Sequence, residues 1–280
     1  MEQKEKMGIY KFFRSVLGFI YRLYYNPTII GYENIPKEGS ILVVGNHVHI
    51  MDQCNVIIVT KRCLHYMAKK EYFDGKFEWF FRSVGCIPVD RSKKDEHATS
   101  EALDVLYNGW AIGLFPEGTR NALKEERAKE IFDKYFSKDL TFSDFYEKTR
   151  KEKTSQINYL EDLLNNKKIT KKDFINNIYD VDNYLKKLIQ KKVINNSDYY
   201  EHILLPFKYG AVSMAKKTNS KIVPFIVTGD YKFRSKNLTI RIGKPIEPMD
   251  DLEKANLILR KNMIDLYKEN EKYNGKKCQK

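Results

Sequence analysis

Residues 40–53 read "SILVVGNHVHIMDQ": an apolar run closed by a glycine, then two imidazoles and a carboxylate within a few positions. The run is too short for a helix and is bounded by Ser40 and Gly45, so it reads as a buried strand. Three more such runs follow, "LHYMA" (64–68), "CIPVD" (86–90) and "AIGLF" (111–115). Between them, residues 52–62, 71–83 and 95–109 show helical spacing of apolar positions. Strand and helix in alternation predict an α/β fold with a mostly parallel central sheet flanked by helices. The pattern resumes at "GAVSMAKKTN" as a helix, continues in the strands "KIVPFIV" and "NLTIRIG", and ends in a basic amphipathic helix near 250–271.

At 280 residues the chain has ample material for a core. Its formal charge of +13 is unevenly spread: residues 204–280 carry 17 basic and 8 acidic side chains. That excess points to an anionic surface or partner. Nucleic acid is set aside, because no stacking-aromatic motif or recognised module accompanies the charge. Cys54, Cys63, Cys86 and Cys278 form no CxxC pair and no metal-binding spacing, so no metal is expected. They read as reduced thiols of a cytoplasmic protein. The apolar stretches fall short of the roughly 18–20 residues of a membrane span. Lys11 and Arg14 interrupt the N-terminal apolar segment, which therefore lacks the layout of a signal peptide.

Two regions stand apart from the alternation. In "IYKFFRSVLGFIYRLYY", Ile9, Phe12, Phe13, Val16, Ile20, Leu23 and Tyr24 share one helical face, with Lys11, Arg14, Ser15, Gly18 and Arg22 opposite. Three cations, no acid and several aromatics suit a helix lying on an anionic lipid surface; packing on the core is the alternative. Residues 121–203 contain no proline or glycine and read as helical. In "LTFSDFY", "ITKKDFI" and "INNSDYY", Thr141, Thr170 and Asn195 are predicted N-caps, with Asp144, Asp173 and Asp198 at the third helical position. The expected organisation is therefore a membrane-surface helix over 1–30, an α/β domain over 31–120 and 204–280, and a helical insertion over 121–203. That insertion would serve as a lid or docking surface.

The chemistry is expected beyond the strand ends, where α/β folds carry reactive groups. On a continuous helix, His47 and Asp52 would lie roughly 140° apart. They can meet only if His47 sits in the turn and the helix begins just after it. Asp52 would then fix the imidazole tautomer and leave the other ring nitrogen as a base. His49 is a rival for that role, and the spacing taken alone favours a structural histidine. "LFPEGTR" (114–120) follows another strand and turns through Gly118, where Arg120 would offer a planar fork to an anionic oxygen pair. "GCIPVDR" (85–91) places Arg91 likewise, and "AKKEYF" adds Lys69 and Lys70.

The ordered series "NHVHIMD", "GCIPVDR", "FPEGTR" and "IVPFIV" resembles the four blocks of the glycerolipid acyltransferases, of the lysophosphatidate acyltransferase type. The resemblance covers about 30–120 and 204–247; the long segment between the third block and "PFKYGAV" departs from it. It implies transfer of a fatty acyl group from a thioester of acyl carrier protein or coenzyme A, with no bound cofactor. The implied acceptor is a lysophospholipid, foremost 1-acyl-sn-glycerol-3-phosphate, giving phosphatidate. Glycerol-3-phosphate, another lysolipid and non-catalytic lipid binding are the alternatives. Within it His47 would be the general base oriented by Asp52. Arg120 and Arg91 would hold the phosphate, joined by Lys69 and Lys70, with Glu117, Gly118 and Thr119 shaping the turn. A peripheral position on the cytoplasmic face of the membrane follows from the same resemblance.

Overall fold

A computed structural model describes residues 7–90, 92, 95–136 and 140–278, with side chains to residue 274. Helix α1 (Gly8–Tyr25) leads into the short strand β1 (Thr28–Ile30). Then β2 (Ile41–Gly45), α2 (Asp52–Ile57), β3 (Leu64–Lys69), α3 (Glu78–Ser83), β4 (Ile87–Val89), α4 (Glu96–Tyr107) and β5 (Ala111–Leu114) alternate. The helical segment contains α5 (Glu125–Tyr135), α6 (Phe142–Thr149), α7 (Thr154–Asn165), α8 (Lys171–Asn177), α9 (Val181–Gln190) and α10 (Asn196–Glu201). Alternation resumes with α11 (Gly210–Thr218), β6 (Lys221–Thr228), β7 (Thr239–Ile242) and α12 (Leu252–Cys278).

The described strands form one sheet in the order β1-β7-β6-β2-β5-β3-β4. Every neighbouring pair is parallel except β6 with β7. The mostly parallel α/β sheet expected from the sequence is therefore present. Strand β2 lies between β5 and β6, and each of its five residues is buried. A strand covered on both faces shows no polar alternation, which is why "ILVVG" reads as a continuous apolar run. Ile41 and Val43 pack with Val56 of α2, Val223 and Phe225. Helices α4, α11 and α12 pack side by side and contact the sheet strands. Strand β1 was not expected: three residues are too few to show a period. Helix α2 stops at Ile57, and the helix expected over 71–83 is a one-turn helix at 70–72 followed by α3.

The chain divides into two compact units, one of residues 1–46, 50–118 and 207–280, the other of residues 47–49 and 119–206. In the second unit the caps are as read from the sequence. Thr141 and Asn195 accept from the amides of Asp144 and Asp198, and Thr170 with Asp173 closes a capping box. The repeat extends further back than the caps. Residues 159–174, "YLEDLLNNKKITKKDF", and 184–199, "YLKKLIQKKVINNSDY", share one pattern, and Lys167 and Lys192 take the same left-handed conformation at its hinge (φ 58° and 59°). Glu161 gathers Arg127, Lys134 and Tyr135 around one carboxylate. Burial pushes the Asp182 carboxyl up, but Lys153, Lys186 and the Gln156 amide outweigh it and hold it at about 2.

Helix α1 belongs to the first unit and is seated through Tyr10, Gly18 and Tyr21, which are buried, with Arg14 and Arg22 bonded alongside. Arg14 donates to the Thr60 carbonyl at 2.9 Å and Arg22 to the Ile58 carbonyl at 2.5 Å. Gly18 is buried, and a β-carbon there would stand 3.4 Å from Ile58. Phe12, Leu17, Phe19, Ile20 and Leu23 face outward and are 53–68% exposed. This is the reverse of an ordinary surface helix, which buries its apolar stripe. No helix among the described residues is long and apolar enough to cross a membrane.

Candidate active site

Parallel strands β2, β5, β3 and β4 end along one rim of the sheet. Strand β2 stops at Gly45 because its α-carbon lies against the Phe225 ring; a β-carbon there would come within 2.1 Å of it. Asn46 then continues the pairing with its side chain. Its amide donates to the Val227 carbonyl at 3.0 Å, and its carbonyl accepts from the Val227 amide at 2.8 Å. An asparagine side chain mimics a peptide group in this way, holding the sheet together one residue past the strand.

His47 follows in an irregular segment, residues 46–48, and helix α2 starts at Asp52. That is the local arrangement the spacing argument required. His47–His49 group with the second unit, whereas Asp52 belongs to the first. Within the second unit the His47 carbonyl accepts from the Asn121 amide at 2.6 Å. The backbone of the histidine motif is thereby bonded to the residue next to Arg120. Asn121, 1% exposed, is itself bonded to Ser155 and to the Ile203 carbonyl, so the residue after Arg120 is anchored in a buried hydrogen-bonded cluster. Arg120 is exposed and Thr119 partly so.

In the first unit, Asp52 is fully buried and accepts a hydrogen bond from the Tyr231 hydroxyl. As the first residue of a helix its carboxylate also meets the positive end of the backbone dipoles. Glu117 is 4% exposed. Gly118 adopts φ 70°, a conformation that costs other residues roughly 1–2 kcal/mol. The Lys208 side chain lies across it, its Nζ 3.0 Å from where a β-carbon would stand. Lys208 is exposed and was not among the residues singled out from sequence; only the fold brings it to this turn. Its amide donates to the Pro116 carbonyl at 2.8 Å. Lys69 and Lys70 are exposed at the end of β3 on the same rim. Arg91 lies outside the described residues. Among those described, no group of His, Cys, Asp and Glu could hold a metal ion.

Comparison with known proteins gives the family and the fold. Over 116 residues, 41% of this chain, it is 28% identical to a 1-acyl-sn-glycerol-3-phosphate acyltransferase of Bacillus subtilis. Over 97 residues, 33% of the chain, it is 37% identical to one of Borreliella burgdorferi. The matched stretches span 58% and 38% of those two relatives. The crystal structure of the 1-acyl-sn-glycerophosphate acyltransferase of Thermotoga maritima shares the fold, with a TM-score of 0.55 at 17% identity, covering 95% of this chain and 83% of that one. The family model described as Acyltransferase matches residues 26–228, and the chain belongs to that family.

Proposed function

We propose that the protein transfers a fatty acyl group from an acyl thioester to the free hydroxyl of 1-acyl-sn-glycerol-3-phosphate, giving phosphatidate. The observation that supports this reading is the bond between the His47 carbonyl and the Asn121 amide, which brings the backbone at His47 next to the backbone that follows Arg120. His47 removes the hydroxyl proton as the oxygen attacks the thioester carbonyl. The tetrahedral adduct then expels the thiolate, which takes the proton back from the imidazolium. Acceptor oxygen gains the acyl carbon, sulfur gains hydrogen, and no covalent acyl-enzyme is needed. General base catalysis of this kind supplies on the order of 10²–10⁴ in rate. Asp52 sets the imidazole tautomer. Arg120, Arg91, Lys69 and Lys70 hold the phosphate, and Lys208 at the Gly118 turn adds a further cation. The donor is a thioester of acyl carrier protein or coenzyme A.

The outward apolar face of α1 supports work at a membrane surface, where the acceptor resides. A panel of acceptors on vesicles tests the assignment, with the wild type and Arg120→Ala compared. Transfer to 1-acylglycerol-3-phosphate should fall in the variant through a raised KM. Equal transfer to a phosphate-free monoacylglycerol by both proteins would remove the phosphate role.

A further inference from the structure

Four side chains from three parts of the first unit form one directed chain of hydrogen bonds. The Tyr21 hydroxyl of α1 donates to the Asn55 side-chain carbonyl at 2.7 Å. The Asn55 amide donates to the Tyr231 hydroxyl at 2.5 Å, and that hydroxyl donates to Asp52. Asp52 and Asn55 are fully buried, and Tyr21 is 5% exposed. The direction is forced. A tyrosine hydroxyl has one proton, and with the Asn55 amide donating to its oxygen that proton goes to the carboxylate. The Tyr231 oxygen, with its own proton on Asp52, can only accept, and this fixes which way the Asn55 amide is turned. Tyr21 then fills the Asn55 carbonyl, and its loss leaves that buried oxygen without this donor at the α1 end of the chain.

The cluster is not redundant with the charges around it. Burial pushes the Cys54 thiol up to about 11 and raises Tyr21, Tyr66 and Tyr231 further, so these neighbours stay neutral near pH 7. Nor is the Tyr231 loop held only by this bond. The Tyr231 ring meets Tyr25 edge-on at 5.7 Å, Phe233 meets Tyr24 at 5.3 Å, and the Arg234 amide donates to the Tyr24 carbonyl at 2.6 Å. The loop and the end of α1 are thus packed and bonded to one another. Phe233, 62% exposed and flanked by Lys232 and Arg234, continues the outward apolar face of that helix.

We propose that Tyr231 is a positioning residue for Asp52, and that Asn55 and Tyr21 tie this positioning to the seating of α1. The inference rests on the proposed role of Asp52 beside His47. A catalytic carboxylate would then be aligned by the same helix that meets the lipid surface, so that disturbing the helix disturbs turnover.

The test compares wild type, Tyr231→Phe, Tyr21→Phe, the double variant and His47→Ala. Each is assayed with 1-acylglycerol-3-phosphate in phosphatidylglycerol–phosphatidylcholine vesicles and the thioester donor that the wild type accepts. Thermal unfolding and vesicle binding are followed in parallel. Tyr231→Phe should lower kcat about tenfold, equivalent to about 1.4 kcal/mol of barrier, while KM for the acceptor and vesicle binding stay unchanged. Tyr21→Phe should lower kcat in the same direction, and the double variant should fall no further than Tyr231→Phe, as expected for groups acting in series. Should Tyr231→Phe fail to fold, Tyr21→Phe carries the same comparison from the far end of the chain. Wild-type kcat in the folded single variants, with His47→Ala inactive, would overturn the positioning role and leave the His47 reading intact. Full turnover by His47→Ala would remove that reading and this inference with it.

Discussion

Asn46 shows how much of the site depends on one side chain's chemistry. Its amide meets both backbone groups of Val227, a residue 181 positions away, and is only 3% exposed. Asn46→Ala leaves a buried N–H and a buried C=O without those partners, so it should destabilise the protein by about 2 kcal/mol. Asn46→Asp should be no better, because a carboxylate cannot donate to the Val227 carbonyl. A lowered denaturation midpoint with an unchanged slope would bear this out, and an unaltered midpoint would refute it. At this scale the sequence is legible where function is local. The turn position of His47, the helical start at Asp52 and the glycine conformation at Gly118 all follow from their near neighbours. Asn46, Lys208 and Tyr231 escape such a reading. Their partners lie on strands and loops far along the chain, and no spacing rule connects Tyr231 with Asp52 across 179 residues.

At the scale of elements, α1 carries the clearest functional signal. Its two faces are readable from helical spacing, but periodicity cannot say which face turns inward. Buried Tyr10, Gly18 and Tyr21 turn inward, Arg14 and Arg22 bond to the Thr60 and Ile58 carbonyls, and Phe12, Leu17, Phe19, Ile20 and Leu23 are left to solvent. An exposed apolar face costs little to replace, so the triple substitution Phe12→Ser, Phe19→Ser and Leu23→Ser should leave the melting temperature nearly unchanged. The same change should weaken binding to anionic vesicles markedly, as flotation would measure. A large loss of stability with normal flotation would show instead that this face packs against protein. Short elements were the least legible: β1 spans three residues, and α3 and the one-turn helix before it are separated by a stretch containing Gly75. The helical repeat was half visible. Its caps recur in sequence, whereas the matching left-handed lysines at 167 and 192 could be recognised only from backbone angles.

For the molecule as a whole, the alternation of apolar and amphipathic segments suffices to give a mostly parallel sheet, and parallel strands necessarily send successive chain turns to one rim. The family match over residues 26–228 contains both the histidine motif after β2 and the Gly118–Arg120 stretch after β5. What alternation cannot supply is strand order. It is β6 beside β2 that lets Asn46 reach Val227, and the antiparallel β7 that sends the Tyr231 loop back towards α1. The proposed chemistry depends on His47 acting as the base. The most direct measurement is the rate of phosphatidate formation from 1-acylglycerol-3-phosphate and an acyl thioester by His47→Ala and His49→Ala. His47→Ala should lose on the order of 10²–10⁴ in kcat with vesicle binding retained, and His49→Ala should keep most of its activity. Undiminished turnover by His47→Ala, or loss confined to His49→Ala, would contradict His47 as the base.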